Sequence, residues 1–130
     1  KSNGIQLCEN VVVTNCIVSS HCFPLKLGTE TTGGFRRISF SNIVVRPSTV
    51  TKTWGSRLPY GGIALLITDG GILDGVYMQQ IQIDSVEVPF MIKLGNRARK
   101  HASAAPTPGH GTLQNVVLSG IRIKSLSPTA

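Results

Sequence analysis

A chain of 130 residues, 41% hydrophobic and only 15% charged, has room for one domain with a modest core and is not a charge-rich disordered segment. Its apolar residues fall in short runs, none near the roughly 18 residues needed to cross a bilayer, so no membrane partner is expected. The net charge of +7 is either a solvated basic surface or the mark of an anionic partner, nucleic acid or an acidic polysaccharide; scattered Lys and Arg and only 5% aromatics argue against nucleic acid.

The chain starts at Lys1 with no signal-peptide pattern, which is the expectation for a processed or truncated product. The first ordered segment is Asn10-Val-Val-Val-Thr-Asn-Cys-Ile-Val18. Three cysteines, Cys8, Cys16 and Cys22, cluster around it. Their odd number argues against a complete disulfide framework, and neither a CxxC nor zinc spacing is present, so no metal site is expected and small buried thiols in a core are. A second kind of strand follows, Phe23-Pro-Leu-Lys-Leu-Gly28. Then the first pattern returns as Arg37-Ile-Ser-Phe-Ser-Asn-Ile-Val-Val45, Gly75-Val-Tyr-Met-Gln-Gln-Ile-Gln-Ile83 and Asn115-Val-Val-Leu-Ser-Gly-Ile-Arg-Ile123. The second kind returns between them as Ile63-Ala-Leu-Leu-Ile-Thr68 and Phe90-Met-Ile-Lys-Leu-Gly95.

The four long segments align without gaps, and their starts lie 27, 38 and 40 residues apart. Periods of this size mark stacked units that bury their apolar faces only against neighbours. No stretch holds a 3.6-residue apolar period, and Gly and Pro are spread along the chain as bends. The expected fold is therefore all-β, a right-handed parallel β-helix of about three to four turns. Residues 1–130 would form a single β-helix segment, a fragment of a longer β-helix. Each turn would hold three short strands, with turns stacked about 4.8 Å apart. Asn15 and Asn42 share one bend position, which Gln80 and Gly120 then interrupt. In the shorter strands, alternation turns Leu25, Leu65 and Ile92 inward and sets Lys26, Leu66 and Lys93 outward in one column. Long loops are expected at 46–61 and 96–111. The second carries the densest basic group, Arg97, Arg99, Lys100 and His101, and its Ala-Ser-Ala-Ala-Pro-Thr-Pro run suggests mobility. The open ends of such a solenoid would invite association.

The run Gly28-Thr29-Glu30-Thr31-Thr32-Gly33-Gly34, preceded by His21 and a short strand, resembles the Gly-Ser-Glu-Thr-Ser-Gly-Gly segment of glycoside hydrolase family 28, the polygalacturonases. The likeness continues through Gly61–Gly71 and Leu94-Gly-Asn-Arg97. It implies the C-terminal part of a pectin-lyase-type β-helix, secreted, periplasmic or in the cell wall, acting on pectin-like acidic polysaccharide without a cofactor. Such hydrolysis uses two carboxyl groups, one to protonate the leaving oxygen and one to activate water. In the register that aligns His21 with the family's Gly-His-Gly histidine, Lys1-Ser2 ends a strand whose paired aspartates would lie just upstream. A second register sets Ser2-Asn3-Gly4-Ile5 on the first aspartate motif and Ser20-His21 on the aspartate pair. The first register leaves the family's catalytic aspartates upstream and the second has each of them replaced, so in neither are they among these residues. Its Arg-Ile-Lys motif aligns with Ala64-Leu65-Leu66 and is lost. Gly109-His110-Gly111 and Arg122-Ile123-Lys124 spell family motifs in the wrong strands.

The resemblance makes His21 a catalytic candidate, although Ser20 and Cys22 stand where the family has glycines and an ordinary turn histidine is the plainer reading. Asp69, just past an outward strand, is a substitute carboxylate; its plainer reading is an Asx-turn in Thr68-Asp69-Gly70-Gly71. Glu30 either orients substrate or holds a bend. Lys26, Lys93 and Arg97 are surface charges or an anion-binding set that replaces the lost motif. Three functions follow: a glycosidase with its aspartates upstream, a non-catalytic carbohydrate-binding module, or a structural assembly module.

Overall fold

The computed structural model describes residues 5–48 and 61–124. The chain forms strands β1 (Cys8–Ser19), β2 (Leu25–Leu27), β3 (Phe35–Arg46), β4 (Gly61–Ile67), β5 (Ile72–Ile83), β6 (Val88–Leu94) and β7 (Thr112–Ile123), with no helix among the described residues. The four long strands make one parallel sheet in the order β1-β3-β5-β7, and the three shorter ones make a second in the order β2-β4-β6. The chain thus visits the two sheets alternately, and each new strand pairs with the previous one of its kind. The expectation of an all-β fold with parallel strands holds.

The gapless repeat alignment is the actual register. Val11, Ile38, Val76 and Val116 pair in one row, and Cys16, Ile43, Ile81 and Ile121 in another. These rows face the core with the Val13–Phe40–Met78–Leu118 row, against Leu25, Leu27, Ile63, Leu65 and Ile67 of the smaller sheet. β-branched side chains suit this pleated surface, and each stacked row removes apolar area from water. The central strands bury their inward residues fully, whereas those of β1 and β7 are only partly buried. β4 is buried on both faces, in keeping with its unbroken run Gly-Gly-Ile-Ala-Leu-Leu-Ile.

Each long strand bends twice. Asn15, Asn42, Gln80 and Gly120 all have positive φ, at 57°, 52°, 53° and 63°, and a second column, Asn10, Arg37, Gly75 and Asn115, does the same five residues earlier. A left-handed residue resets the alternation, so inward positions run 11, 13, 16 and 18 rather than every second residue. The conformation costs a non-glycine residue about 1–2 kcal/mol. Side-chain bonds along the columns offset part of that: Asn42 Nδ2 donates to Asn15 Oδ1 at 2.7 Å, Arg37 Nε to Asn10 Oδ1 at 2.6 Å, and Asn115 Nδ2 to Asp74 Oδ1 at 2.7 Å.

Three expectations are corrected. Of the expected outward column of Lys26, Leu66 and Lys93, only the Leu66–Lys93 pairing holds: Lys26 pairs with Ala64, whose other neighbour is Met91, two positions before Leu66. Ile92 shares a row with Leu65 and Leu27, yet it is 49% exposed, whereas Leu27 on the opposite edge strand is buried. The cysteines are free thiols but not a buried stack; Cys8 and Cys22 are exposed, and only Cys16 packs on the core. Of the expected loop at 46–61, positions 49–60 lie outside the described residues.

Candidate functional site

The chemistry-bearing residues gather where the strands of the smaller sheet end. Residues 28–34 follow β2, residues 68–71 follow β4, and the long loop follows β6, so the three connections lie in successive layers. Thr31 joins the first two. Its buried hydroxyl donates to the Gly70 carbonyl at 2.9 Å and accepts from the backbone N–H groups of Asp69 at 3.1 Å and Thr68 at 3.3 Å. Thr68 Oγ1 donates to the Thr29 carbonyl at 2.8 Å. Gly71 takes φ +76°, and a Cβ there would lie 1.8 Å from the Thr31 carbonyl oxygen, so only glycine fits this approach.

The third layer closes over the second. Gly95 N donates to the Ile67 carbonyl at 2.8 Å, and Arg97 N to the Thr68 carbonyl at 2.7 Å. This draws the start of the loop across Asp69, whose carboxylate is 1% exposed. The Arg97 guanidinium takes both carboxylate oxygens, with Nε 2.9 Å from Oδ1 and Nη2 on Oδ2, and Arg99 N donates to Oδ1 at 3.0 Å. Arg99 Nη1 then reaches Glu30 Oε1 at 2.8 Å. The expected mobile loop is therefore anchored at its start by two arginines, and further along Ala105 is buried.

These contacts fix the electrostatics. The Arg97 hydrogen bonds hold the Asp69 carboxyl below its ordinary range, burial opposes them, and the Arg99 amide adds to the lowering. Asp69 in turn raises the pKa of Arg97. A buried carboxylate gripped on both oxygens is a poor proton donor and has little freedom to activate water. The geometry gives Asp69 a holding role in place of the substitute catalytic one expected from sequence. Glu30, expected to orient substrate or hold a bend, tethers the loop through Arg99.

Two clefts flank the cluster. One, of about 440 Å³, is lined by Thr29, Leu66, Met91, Lys93, Asn96 and Arg97 among others. The other, of about 330 Å³, is lined by Glu30, Thr32, Asp69, Arg99, Lys100 and His101. Among the described residues Lys93 is exposed and has neither a hydrogen-bond nor an ion-pair partner, so it is the uncommitted charge of the first cleft. Arg97, expected as a second cation there, is neutralised by Asp69. His21 and Lys26 line neither cleft. The His21 Nδ1 atom is buried without a hydrogen-bond partner, and Lys26 is exposed on β2. No group of three or more His, Cys, Asp or Glu among the described residues is arranged to hold a metal.

Sequence reasoning missed Thr31 and Arg99 as the residues that tie the layers together. Arg99 sat in the densest basic group; Thr31 carried no signal beyond its place in the threonine-glycine run. Comparison of the chain with protein-family models, with curated proteins and with solved structures finds no match.

Proposed function

We propose that the chain is a segment of a right-handed parallel β-helix, similar to the polygalacturonases of glycoside hydrolase family 28, and that it binds pectin-like acidic polysaccharide along the β2-β4-β6 sheet and the cleft at its end. By the same resemblance it works as a secreted, periplasmic or cell-wall protein. The observation that carries the reading is the cleft of about 440 Å³ in which Lys93 stands uncommitted beside the Thr29–Thr68 contact and the anchored loop. The alternation of strands between two parallel sheets supports the coil.

Binding is favoured over hydrolysis by these residues. Both candidate carboxylates near the cleft are occupied, Asp69 by Arg97 and Glu30 by Arg99. Hydrolysis of the family's type needs a carboxylic acid and a second carboxylate on opposite sides of the scissile bond. A glycosidase reading therefore draws its catalytic pair from aspartates outside these residues and uses this segment to hold substrate.

Titration with oligogalacturonate tests the proposal. Binding should weaken as salt rises, because an exposed ammonium–carboxylate contact is screened over about 10 Å at 0.1 M. Lys93→Ala with Lys26→Ala should lower affinity about tenfold, with Lys93 contributing most. Binding at this cleft that is indifferent to both substitutions would rule the reading out.

A further inference from the structure

A second basic surface lies at the ends of the long strands and shares no residue with the clefts above. It is a groove of about 630 Å³ lined by Val44, Arg46, Gln82, Arg122 and Lys124, among others, with Asp84 on its wall. Register explains how it forms. Val44, Gln82 and Arg122 pair in one row, outward between the buried rows on either side. One step beyond the Val45–Ile83–Ile123 row come Arg46, Asp84 and Lys124, held by Asp84 N on the Val45 carbonyl at 3.0 Å and Lys124 N on the Ile83 carbonyl at 2.9 Å. Three layers thus present Arg46, then Asp84, then Arg122 and Lys124.

The charges are unequal in their commitments. Asp84 accepts from Ser85 Oγ at 2.9 Å and faces Lys124 Nζ at 3.5 Å. Arg46 and Arg122 are exposed, and neither has a hydrogen-bond or ion-pair partner among the described residues. They stand two strand spacings across and two residues along from each other, about 12 Å between backbone positions. One carboxylate is too small to satisfy both, whereas an extended chain bearing a carboxylate on successive units can. A guanidinium fork takes a planar carboxylate through two parallel hydrogen bonds, which a surface ammonium does not do. The rest of the lining is aliphatic and amide, with no aromatic ring to stack a base, so the groove does not suit single-stranded nucleic acid.

We infer that this groove is a second site for acidic oligosaccharide, with Arg46 and Arg122 taking carboxylates of separate sugar units and Asp84 limiting its affinity. The choice of a sugar polymer rests on the function proposed above; the anion-binding geometry does not. The protein would then hold such a polymer at two separate places.

Calorimetric titration of the protein with oligogalacturonate tests this, with polyglutamate as the peptide of like charge. The expected result is two classes of site. Arg46→Gln with Arg122→Gln removes one class or weakens it at least tenfold, and Lys26→Ala with Lys93→Ala leaves that class intact. Asp84→Asn tightens it severalfold, a gain that a misfolded variant would not show. Arg36→Gln with Arg37→Gln, an equal loss of charge elsewhere on β3, leaves it unchanged. The inference is overturned if the Arg46/Arg122 variant binds as the parent does, if the Arg36/Arg37 variant loses as much, or if polyglutamate fills the groove more tightly than the sugar. Loss confined to the Arg46/Arg122 variant, with the Lys26/Lys93 variant unaffected at both classes, would remove the first site and keep the second.

Discussion

The two sheets solve the stacking problem in different ways. In the long-stranded sheet every layer repeats the one before it, with inward rows that stay apolar and the same two left-handed bends. In the shorter-stranded sheet only the strands repeat. Their connections differ in every layer, and they are joined by specific side-chain contacts: the Thr31 hydroxyl on three backbone groups, Thr68 on Thr29, and Arg97 on Asp69. The first region is held by uniform apolar rows and tolerates variation on its surface. The second is held by single polar contacts, and the two clefts around Asp69 open beside them, apart from the groove at the ends of the long strands.

Substitutions in each region should separate these two kinds of stability. The largest effect is expected in the repeating rows. Ile81→Ala opens space in the centre of a row, where Ile81 and its neighbour Ile43 are fully buried, and should cost about 3 kcal/mol, read as a lower urea midpoint with little change in slope. A change in slope would mean that the layers unfold separately. Thr31→Val keeps the shape but strands two N–H groups and a carbonyl; it should cost about 2 kcal/mol. Hydrogen exchange should then speed up first at Thr68 and Asp69, and unchanged exchange there would show that the hydroxyl is not the joint between layers. The smallest effect belongs to Asp69→Asn, at about 1.5 kcal/mol at neutral pH. Asp69 has a folded pKa below its unfolded value of about 3.9, so its contribution is present above that pH and lost as pH falls through the folded value. The parent should therefore lose stability on acidification below about pH 4, and the Asn variant should lose less. Identical acid limbs in the two proteins would mean that the Arg97 contact contributes nothing.

The same contrast decides what could be read from sequence. The long-strand register was legible in full, because Asn10–Val18 and its three counterparts align without a gap, and so was the Asn15 bend column; the second column, at Asn10, Arg37, Gly75 and Asn115, was not, since Arg37 is no turn residue. The shorter strands offered only alternation. Phe23, Leu25 and Leu27 match Ile63, Leu65 and Ile67 as well under a shift of two residues as without it, since a two-residue slip keeps every side chain on its own face. Alternation alone therefore allows Lys26 beside Leu66, whereas it lies beside Ala64. The Asp69–Arg97 pair was out of reach for another reason. Both residues were candidates, but their contact depends on where the β6 connection turns back, and nothing in the local composition specifies that turn.

The intervals between the long segments, 27, 38 and 40 residues, vary while their pairing does not shift by a single position. The stretches between successive long strands run to 15, 25 and 28 residues, and for a flexible connection that whole range is worth only about 0.5 kcal/mol of closure entropy. An insertion within the nine-residue frame, by contrast, would turn buried rows outward. Over evolutionary time such a chain is free to lengthen its connections and so to rebuild the clefts at the ends of its strands, while the frame that carries them stays nearly closed to insertion or deletion.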